Sequence, residues 1–157
     1  SWPSFAPGTW ASLQGDVRAA AAGRVPPLVV AADRDAGAVA ATTANAERAG
    51  VAVDVRHQPL SALEPPPGPP GWVVTNPPWG GRTGAGADLR DLYAALGRLV
   101  RERLPGWGAA LLVADPRLAA ATGLPLQHRW STLAGGTRVH LLTTVDGAGP
   151  GDDDPAA

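Results

Sequence analysis

The sequence predicts an α/β fold, in which a mostly parallel sheet carries helices on both faces. Short apolar runs alternate with helical patterns along most of the chain, as expected when parallel strands are joined by crossover helices. Two further strand patterns flank an Ala-Gly-Gly-Thr turn near the end, which predicts an antiparallel hairpin at the edge of the sheet. The length of 157 residues is enough for about one domain.

The first half of the chain is expected to hold two helices and two strands. Aromatic residues among prolines and glycines, including Trp10, predict an anchored loop before the first helix. Asp35 is a candidate N-cap of the second helix, and Gly50 is a candidate C-terminal stop. The predicted elements are, in order, a helix at 12–22, a strand at 28–32, a helix at 36–48 and a strand at 51–55.

The second half contains the clearest helix of the chain. Apolar residues recur at i, i+3, i+4 and i+7 between Leu89 and Leu104, while the arginines of this stretch lie largely on the other face. Prolines over 59–71 exclude a strand there. The predicted elements are a loop at 59–71, a strand at 72–75, a helix at 88–104, a strand at 109–113, a short helix at 116–122, hairpin strands at 126–133 and 138–145, and a disordered tail at 147–157.

The composition excludes several classes of protein. The 13 basic and 14 acidic side chains balance, so neither a polybasic arm nor an acidic chain is expected. No cysteine is present, which excludes a disulfide framework and a thiolate zinc site. No apolar stretch reaches about 18 residues and nothing resembles a signal peptide, so no membrane contact and a cytoplasmic location are expected. His57, His128 and His140 lack ligand spacing, and no metal site is predicted.

Candidate site residues follow two of the predicted strands, at the edge where ligands bind in such sheets. Asp33 follows the first strand, and a carboxylate there can accept both ribose hydroxyls of a nucleoside. The alternative is that Asp33 or Asp35 only caps the next helix. The second group is Asn76-Pro77-Pro78-Trp79, directly after the third strand.

Two consecutive prolines make this second turn stiff and leave the carbonyls of Asn76 and Pro77 as acceptors. The amide oxygen of Asn76 is another acceptor, and Trp79 offers a flat face on which a base could stack, worth about 1–3 kcal/mol. These groups suit a planar substrate with an exocyclic amine. Hydrogen bonds accepted from the amine localise its lone pair on nitrogen. The alternative is an ordinary proline-rich turn with a tryptophan in the core.

The segment Thr75–Arg82 (TNPPWGGR) resembles the Asn/Asp-Pro-Pro-aromatic motif of class I S-adenosylmethionine-dependent amino-methyltransferases. The chain is similar in particular to the THUMP-associated RNA guanine-N2 methyltransferases of the large-subunit ribosomal RNA type. This narrower resemblance also rests on Asp91–Gly97, on the residues around Asp33 and on the aromatic stretch that begins at Trp2. The resemblance covers roughly residues 1–146. It implies a Rossmann-like class I methyltransferase sheet and methyl transfer to guanine N2 of ribosomal RNA, or of transfer RNA.

The resemblance also implies roles for individual residues. S-adenosylmethionine is the expected cofactor, RNA the expected partner, and no metal is expected. Asn76 and the Pro77 carbonyl would bind the target amine, and Trp79, where the family usually has tyrosine, would stack on the base. The implied cofactor-binding residues are Asp33, Gln58 and Asn76, and the implied substrate-binding residues are Pro78, Trp79, Gly80 and Arg82.

Two departures from the family pattern carry further expectations. Pro59 stands where the family has an acidic residue that contacts the adenine amine. The Gly-rich loop of the first motif is not found, and Ser1 is not an initiator methionine. Residues 1–146 are therefore expected to be the C-terminal part of a catalytic domain. This part would lack the first strand of the domain. A missing N-terminal segment of the same protein would supply that strand and so be a partner of this chain.

Two other functions are compatible with the sequence. The chain could be an inactive methyltransferase remnant or an RNA-binding module without cofactor binding. It could also keep the chemistry and act on a different amine, as a DNA adenine-N6 or protein glutamine N-methyltransferase. The glycine-rich stretch at 80–86 is expected to be a lid near the substrate rather than a phosphate-binding loop, since no strand-loop-lysine pattern surrounds it.

Overall fold

Helices and strands alternate along residues 7–79 and 86–145, the parts of the chain that this computed structural model describes. A short 3-10 turn at Leu60–Ala62 interrupts the proline-rich loop. The elements are α1 (Pro7–Ala21), β1 (Val30–Asp33), α2 (Ala36–Ala49), β2 (Asp54–His57), β3 (Trp72–Thr75), α3 (Gly86–Arg103), β4 (Gly108–Val113), α4 (Pro116–Ala120), β5 (Leu126–Ala134) and β6 (Thr137–Thr144).

The strands form two sheets. β1 and β2 pair in parallel, with Val30 opposite Asp54. The larger sheet has the order β3-β4-β6-β5, in which β3 and β4 are parallel and β6 is antiparallel to both of its neighbours. The predicted α/β fold, with parallel strands first and an antiparallel hairpin last, is confirmed.

The two sheets are not joined by any described strand. β1 pairs only with β2, and β3 pairs only with β4, so each has one edge without a described partner. The expected strand between those ending at Asp33 and at Asn76 therefore stays a prediction. One described connection to the larger sheet is made by the 3-10 turn, where the Arg103 guanidinium donates a 2.7 Å hydrogen bond to the Ser61 carbonyl and Leu60 packs against the core.

The hydrophobic core belongs to the larger sheet. α3 and α4 cover one face of β4 and β6, because the predicted apolar stripe of α3 points inward. The core residues are Tyr93, Leu96, Val100, Ala109, Leu111, Val113, Ala119 and Leu142. By contrast, α2 has no buried residue, and β1 is only partly covered. The smaller sheet therefore contributes little to the core of the described structure.

Several predicted boundaries are wrong. The first strand runs from Val30 to Asp33 rather than over 28–32, and the largest differences are at α1 and β2. α1 begins at Pro7 rather than at residue 12, because proline is accepted in the first turn of a helix, and it includes Trp10, which was expected in a loop. β2 begins at Asp54 rather than at Val51. The N–H groups of Gly50 and Val51 bond back to carbonyls of α2, so both residues belong to the end of that helix.

The predicted caps of α2 are confirmed. The Asp35 side chain accepts a 2.8 Å hydrogen bond from the Ala38 N–H, and Gly50 adopts the left-handed conformation with φ of 67°. α3 begins at Gly86, two residues earlier than predicted. The expected disordered tail at 147–157 and the first part of the expected lid, residues 80–85, lie outside the described residues.

Candidate active site

The first part of the site lies where β1 and β2 end side by side. The Gln58 N–H donates a 2.9 Å hydrogen bond to the Asp33 carbonyl, so parallel pairing brings these two predicted residues together. The Asp33 side chain is exposed, and its Oδ1 accepts a 2.8 Å hydrogen bond from the Asp35 N–H. Since Asp35 caps α2, Asp33 is not the cap, and its Oδ2 has no hydrogen bond within the described residues.

Gln58 carries an unsatisfied donor. Its side-chain nitrogen is buried, with no hydrogen-bond partner among the described residues. Burying an amide nitrogen without a partner costs about 1–3 kcal/mol. A ligand that offers an acceptor at the end of β2 would remove that cost. Next to it, Pro59 starts the 3-10 turn, so the acidic residue usual in the resembling family has no counterpart at this position.

The second part of the site is the turn after β3. Asn76 and Pro78 are exposed, Pro77 is buried and Trp79 is half-buried. The Trp79 indole N–H donates to the Leu112 carbonyl of β4 at 3.2 Å, which fixes the indole ring against the sheet. The Asn76 side chain stays on the surface with its amide available to a ligand. Gly80 and Arg82, the other predicted substrate-binding residues, lie outside the described residues.

Tyr93 holds this turn from beneath. It is 1% exposed, and its hydroxyl donates to the Pro78 carbonyl at 3.4 Å. Burial raises the pKa of Tyr93, and the negative charge of Asp115 raises it further. The hydroxyl therefore stays protonated and remains a donor at neutral pH. Hydrogen bonds to α3 and β4 thus anchor the Asn76–Trp79 turn to the larger sheet.

The contact of Tyr93 with the candidate site is one that the sequence pattern did not reveal. Tyr93 occupies a position in the apolar stripe of α3, and the stripe by itself indicates only packing in the core. The available signal was the residue type: it is the single tyrosine of the chain, and a buried tyrosine usually places its hydroxyl on a hydrogen-bond acceptor.

The two parts of the site lie at the carboxyl ends of strands in different sheets. Asp33 and Gln58 are joined to each other, and Asn76 to Trp79 are joined to α3 and β4, but no hydrogen bond in the described structure links the two groups. Within residues 7–79 and 86–145, no three His, Cys, Asp or Glu side chains cluster as metal ligands. None of the described helices is both long and apolar enough to cross a membrane.

Comparison with known proteins assigns the family. A family model described as "RMKL-like, methyltransferase domain" matches residues 2–135. The chain belongs to this family. The match covers α1 to β5, so both the Asp33 and the Asn76 turns lie inside this RMKL-like domain.

Two curated relatives carry the same name, ribosomal RNA large subunit methyltransferase K/L. The protein from Chromohalobacter salexigens is 34% identical over 149 residues, which cover 90% of this chain and 20% of the relative. The protein from Legionella pneumophila strain Lens is 39% identical over 128 residues, covering 79% of this chain and 18% of the relative. The chain thus spans about a fifth of the length of these relatives.

A solved structure shares the fold. It is described as a methyltransferase complexed with SAH, and it superposes with a TM-score of 0.73 over 91% of this chain and 38% of that chain. Its sequence identity is 20%. At this identity the likeness concerns the fold, and it agrees with the Rossmann-like class I methyltransferase sheet that the sequence predicted.

Proposed function

We propose that this chain forms part of an S-adenosylmethionine-dependent RNA methyltransferase that methylates the N2 amine of guanine in large-subunit ribosomal RNA, with transfer RNA as the second candidate. The observation that carries the proposal is the Asn76-Pro77-Pro78-Trp79 turn, held by Tyr93 and Leu112 at the end of β3 with Asn76 exposed. Family membership and the names of the relatives support it. Such a substrate implies a cytoplasmic location.

The residues at the ends of β1 and β2 fit the nucleoside part of the cofactor. Asp33 offers a free carboxylate oxygen to ribose hydroxyls, and the buried nitrogen of Gln58 is a donor for a ring nitrogen of adenine. When bound, S-adenosylmethionine supplies an electrophilic methyl group on a sulfonium. Pro59 removes the acidic contact to the adenine amine, so Asp33 and Gln58 carry most of the recognition at this edge.

The turn at Asn76 prepares the nucleophile. An exocyclic amine of a base is a weak nucleophile, because its lone pair is delocalised into the ring. The Asn76 side-chain oxygen and the Pro77 carbonyl accept the two N–H bonds of the amine, which localises the lone pair and directs it outward. The ring of Trp79 stacks on the base, and Pro78 and Arg82 are further residues that contact the substrate. Tyr93 is a positioning residue, because it acts through the Pro78 carbonyl.

The reaction is a single displacement. The amine nitrogen held by Asn76 and the Pro77 carbonyl would receive the methyl group that the cofactor supplies, and the sulfur would keep the electron pair of the carbon–sulfur bond that breaks. The methylated amine then releases one proton to water, since neither Asn76 nor the prolines can hold it. Positioning supplies most of the rate, because the reacting atoms need only be aligned. A guanine within a duplex must first leave the stack.

We also propose that residues 1–146 are the C-terminal part of the catalytic domain and that a strand from a preceding segment of the same protein lies between β1 and β3. The support is that both of these strands have an edge without a described partner. Comparing amide hydrogen exchange in this chain with that in the longest natural polypeptide containing it tests this. Stronger protection of β1 and β3 in the longer protein is expected, and equal protection contradicts the proposal.

Methyl transfer tests the proposed function. This chain and the longest natural polypeptide that contains it are incubated with radiolabelled S-adenosylmethionine and protein-free large-subunit ribosomal RNA. The product is digested to nucleosides, and N2-methylguanosine is expected. Asn76→Ala should slow transfer by about 10²–10³-fold, as for other groups that stabilise charge only in the transition state. Asn45→Ala, on the exposed face of α2, is the matched control and should leave the rate unchanged.

Several outcomes would contradict the proposal. Equal rates for Asn76→Ala and Asn45→Ala exclude the role of Asn76. Label in DNA adenine or in protein glutamine would show that the methyl group is transferred to one of the alternative targets instead of to guanine. Absence of both transfer and cofactor binding in both proteins favours the inactive remnant or RNA-binding module.

A further inference from the structure

The β5–β6 hairpin extends past the end of its neighbour β4. The last residue of β4, Val113, pairs with His140, while β6 begins three residues earlier at Thr137. At about 3.4 Å per residue, the hairpin continues about 10 Å beyond β4. β3 and β4 are parallel, so this is the edge of the sheet at which the Asn76 turn lies. β6 is two strands from β3, a separation of about 10 Å.

A β-bulge changes which side chains share a face of this hairpin. The register shifts between His128, opposite Leu142, and Trp130, opposite Leu141, which leaves Arg129 as the extra residue. In a regular strand, residues three apart point to opposite faces. The bulge reverses that parity and places His128 on the face of Ser131. Bulges often redirect a side chain next to a functional site.

The result is a connected polar cluster. His128 Nε2 lies 2.7 Å from Ser131 Oγ, and the same oxygen lies 2.8 Å from Nδ1 of His140. The two imidazole rings meet edge to face, with centroids 5.5 Å apart. Arg138 pairs with Leu133 and shares this face by the register of the ladder. We call His128, Ser131, Arg138 and His140 the hairpin polar face.

Core packing does not require these residue types. β5 is exposed from Gln127 to Ala134, and Arg138 is exposed as well. Residues 126–145 include two arginines and two histidines but no aspartate or glutamate, although the chain as a whole has a net charge of −1. A zinc site is not supported, because two imidazoles have no third described ligand. The guanidinium, imidazole and hydroxyl groups of the hairpin polar face are all hydrogen-bond donors that suit phosphate oxygens as acceptors.

We propose that the hairpin polar face binds the phosphate backbone of the RNA strand whose base enters at Asn76. The inference rests on the proposed function and adds the place on the chain where the RNA is held. Arg138 supplies the charge. The Ser131 hydroxyl donates to a phosphate oxygen when His128 Nε2 and His140 Nδ1 both carry a proton and donate to its oxygen. The hairpin thereby sets the register of the substrate on the sheet, while the Asn76 turn selects the amine.

Salt-dependent binding tests the proposal. The probe is a fluorescently labelled in vitro transcript of bacterial large-subunit ribosomal RNA, titrated without cofactor at several salt concentrations. Arg138→Gln should weaken binding and lower the slope of log K against log salt by about 0.7–0.9, the value for one lost phosphate contact. Arg138→Lys should restore the slope. Arg98→Gln removes the same charge from an exposed position on α3 and should match the wild-type slope.

The hydroxyl gives a second variant, which changes no formal charge. Ser131→Ala should weaken binding severalfold with a smaller change of slope than Arg138→Gln, and circular dichroism should show an intact fold. Equal affinities and slopes for wild type, Arg138→Gln and Ser131→Ala would overturn the proposal. A changed oligomeric state in these variants, with unchanged RNA affinity, would also overturn it and assign the face to self-association.

The test separates this inference from the proposed function. Methyl transfer by the wild type, with normal RNA binding in both hairpin variants, would refute the hairpin contact and leave the enzyme activity standing. Hairpin-dependent RNA binding without methyl transfer would support the hairpin contact and count against the activity.

Discussion

Gly97 lies on the face of α3 that packs against the end of α4, and replacing it with alanine tests this packing. A Cβ atom built on Gly97 would lie 1.8 Å from the carbonyl oxygen of Thr122 and 2.6 Å from its carbonyl carbon. Ordinary van der Waals contact begins at 3.4 Å. The obstacle is backbone, so rotating a side chain does not relieve the clash, and α3 must move away from α4.

The magnitude follows from what holds Thr122 in place. Its carbonyl accepts a hydrogen bond from Arg101, and its hydroxyl donates to the Ala119 carbonyl at 2.8 Å and accepts from the Leu124 N–H at 3.1 Å. Overpacking of this kind costs about 1–3 kcal/mol. Alanine gains about 1 kcal/mol over glycine in helix propensity, which offsets part of it. After this offset, we expect the free energy of unfolding to fall by up to about 2 kcal/mol.

Urea denaturation followed by tryptophan fluorescence measures this change. Gly15→Ala is the matched control, since it is also in a helix and a Cβ there meets nothing within 4 Å. We expect the control to raise the free energy of unfolding by about 0.5–1 kcal/mol. The two substitutions should therefore act in opposite directions. The reasoning is refuted if Gly97→Ala is as stable as Gly15→Ala.

Two further predictions concern Tyr93 and Asp35. Because Tyr93 is the only tyrosine, tyrosinate absorbance should titrate above the ordinary pKa of 10.0 in the folded protein. A raised folded-state pKa means that the associated stability is complete below pH 10 and is lost as the pH rises through the folded pKa. Tyr93→Phe should remove the part of the alkaline fall in the free energy of unfolding that comes from this hydroxyl. An identical fall in the wild type and the variant would contradict the burial of the hydroxyl. Asp35→Ala removes the N-cap of α2 and should cost about 0.5–2 kcal/mol by urea denaturation, while Asp16→Ala should cost less than about 0.5 kcal/mol.

The elements that the sequence predicted best are those with strong local signals. The strand at Trp72–Thr75 was predicted with its observed limits, because a proline loop precedes it and two prolines follow it. The caps of α2 are similarly local. The start of α1 could not be predicted well, because Pro7 and Gly8 are typical of loops and tolerated in a first helical turn.

The residues of the candidate site also differ in how far local sequence signals predict them. Asp33 and Asn76 could be predicted as candidates from the sequence because each is a polar residue at the end of an apolar run. The support beneath the turn could not, because Tyr93 and Leu112 come from α3 and β4, whose approach depends on tertiary packing. The cluster around Ser131 depends on a bulge that reverses the face of His128, and no local residue pattern marks that bulge.

Cofactor binding tests the central claim most directly. Calorimetric titration with S-adenosylhomocysteine is made on this chain and on the longest natural polypeptide that contains it. One binding site is predicted, weakened about tenfold or more by Asp33→Asn, equivalent to about 1.4 kcal/mol. That variant can keep the oxygen that accepts from the Asp35 N–H, while it replaces the second carboxylate oxygen with an amide NH2 and so loses the charge and one acceptor. Asp16→Asn should bind as the wild type does. Absence of binding in both proteins, or wild-type affinity in Asp33→Asn, would contradict the assignment of this edge to the cofactor.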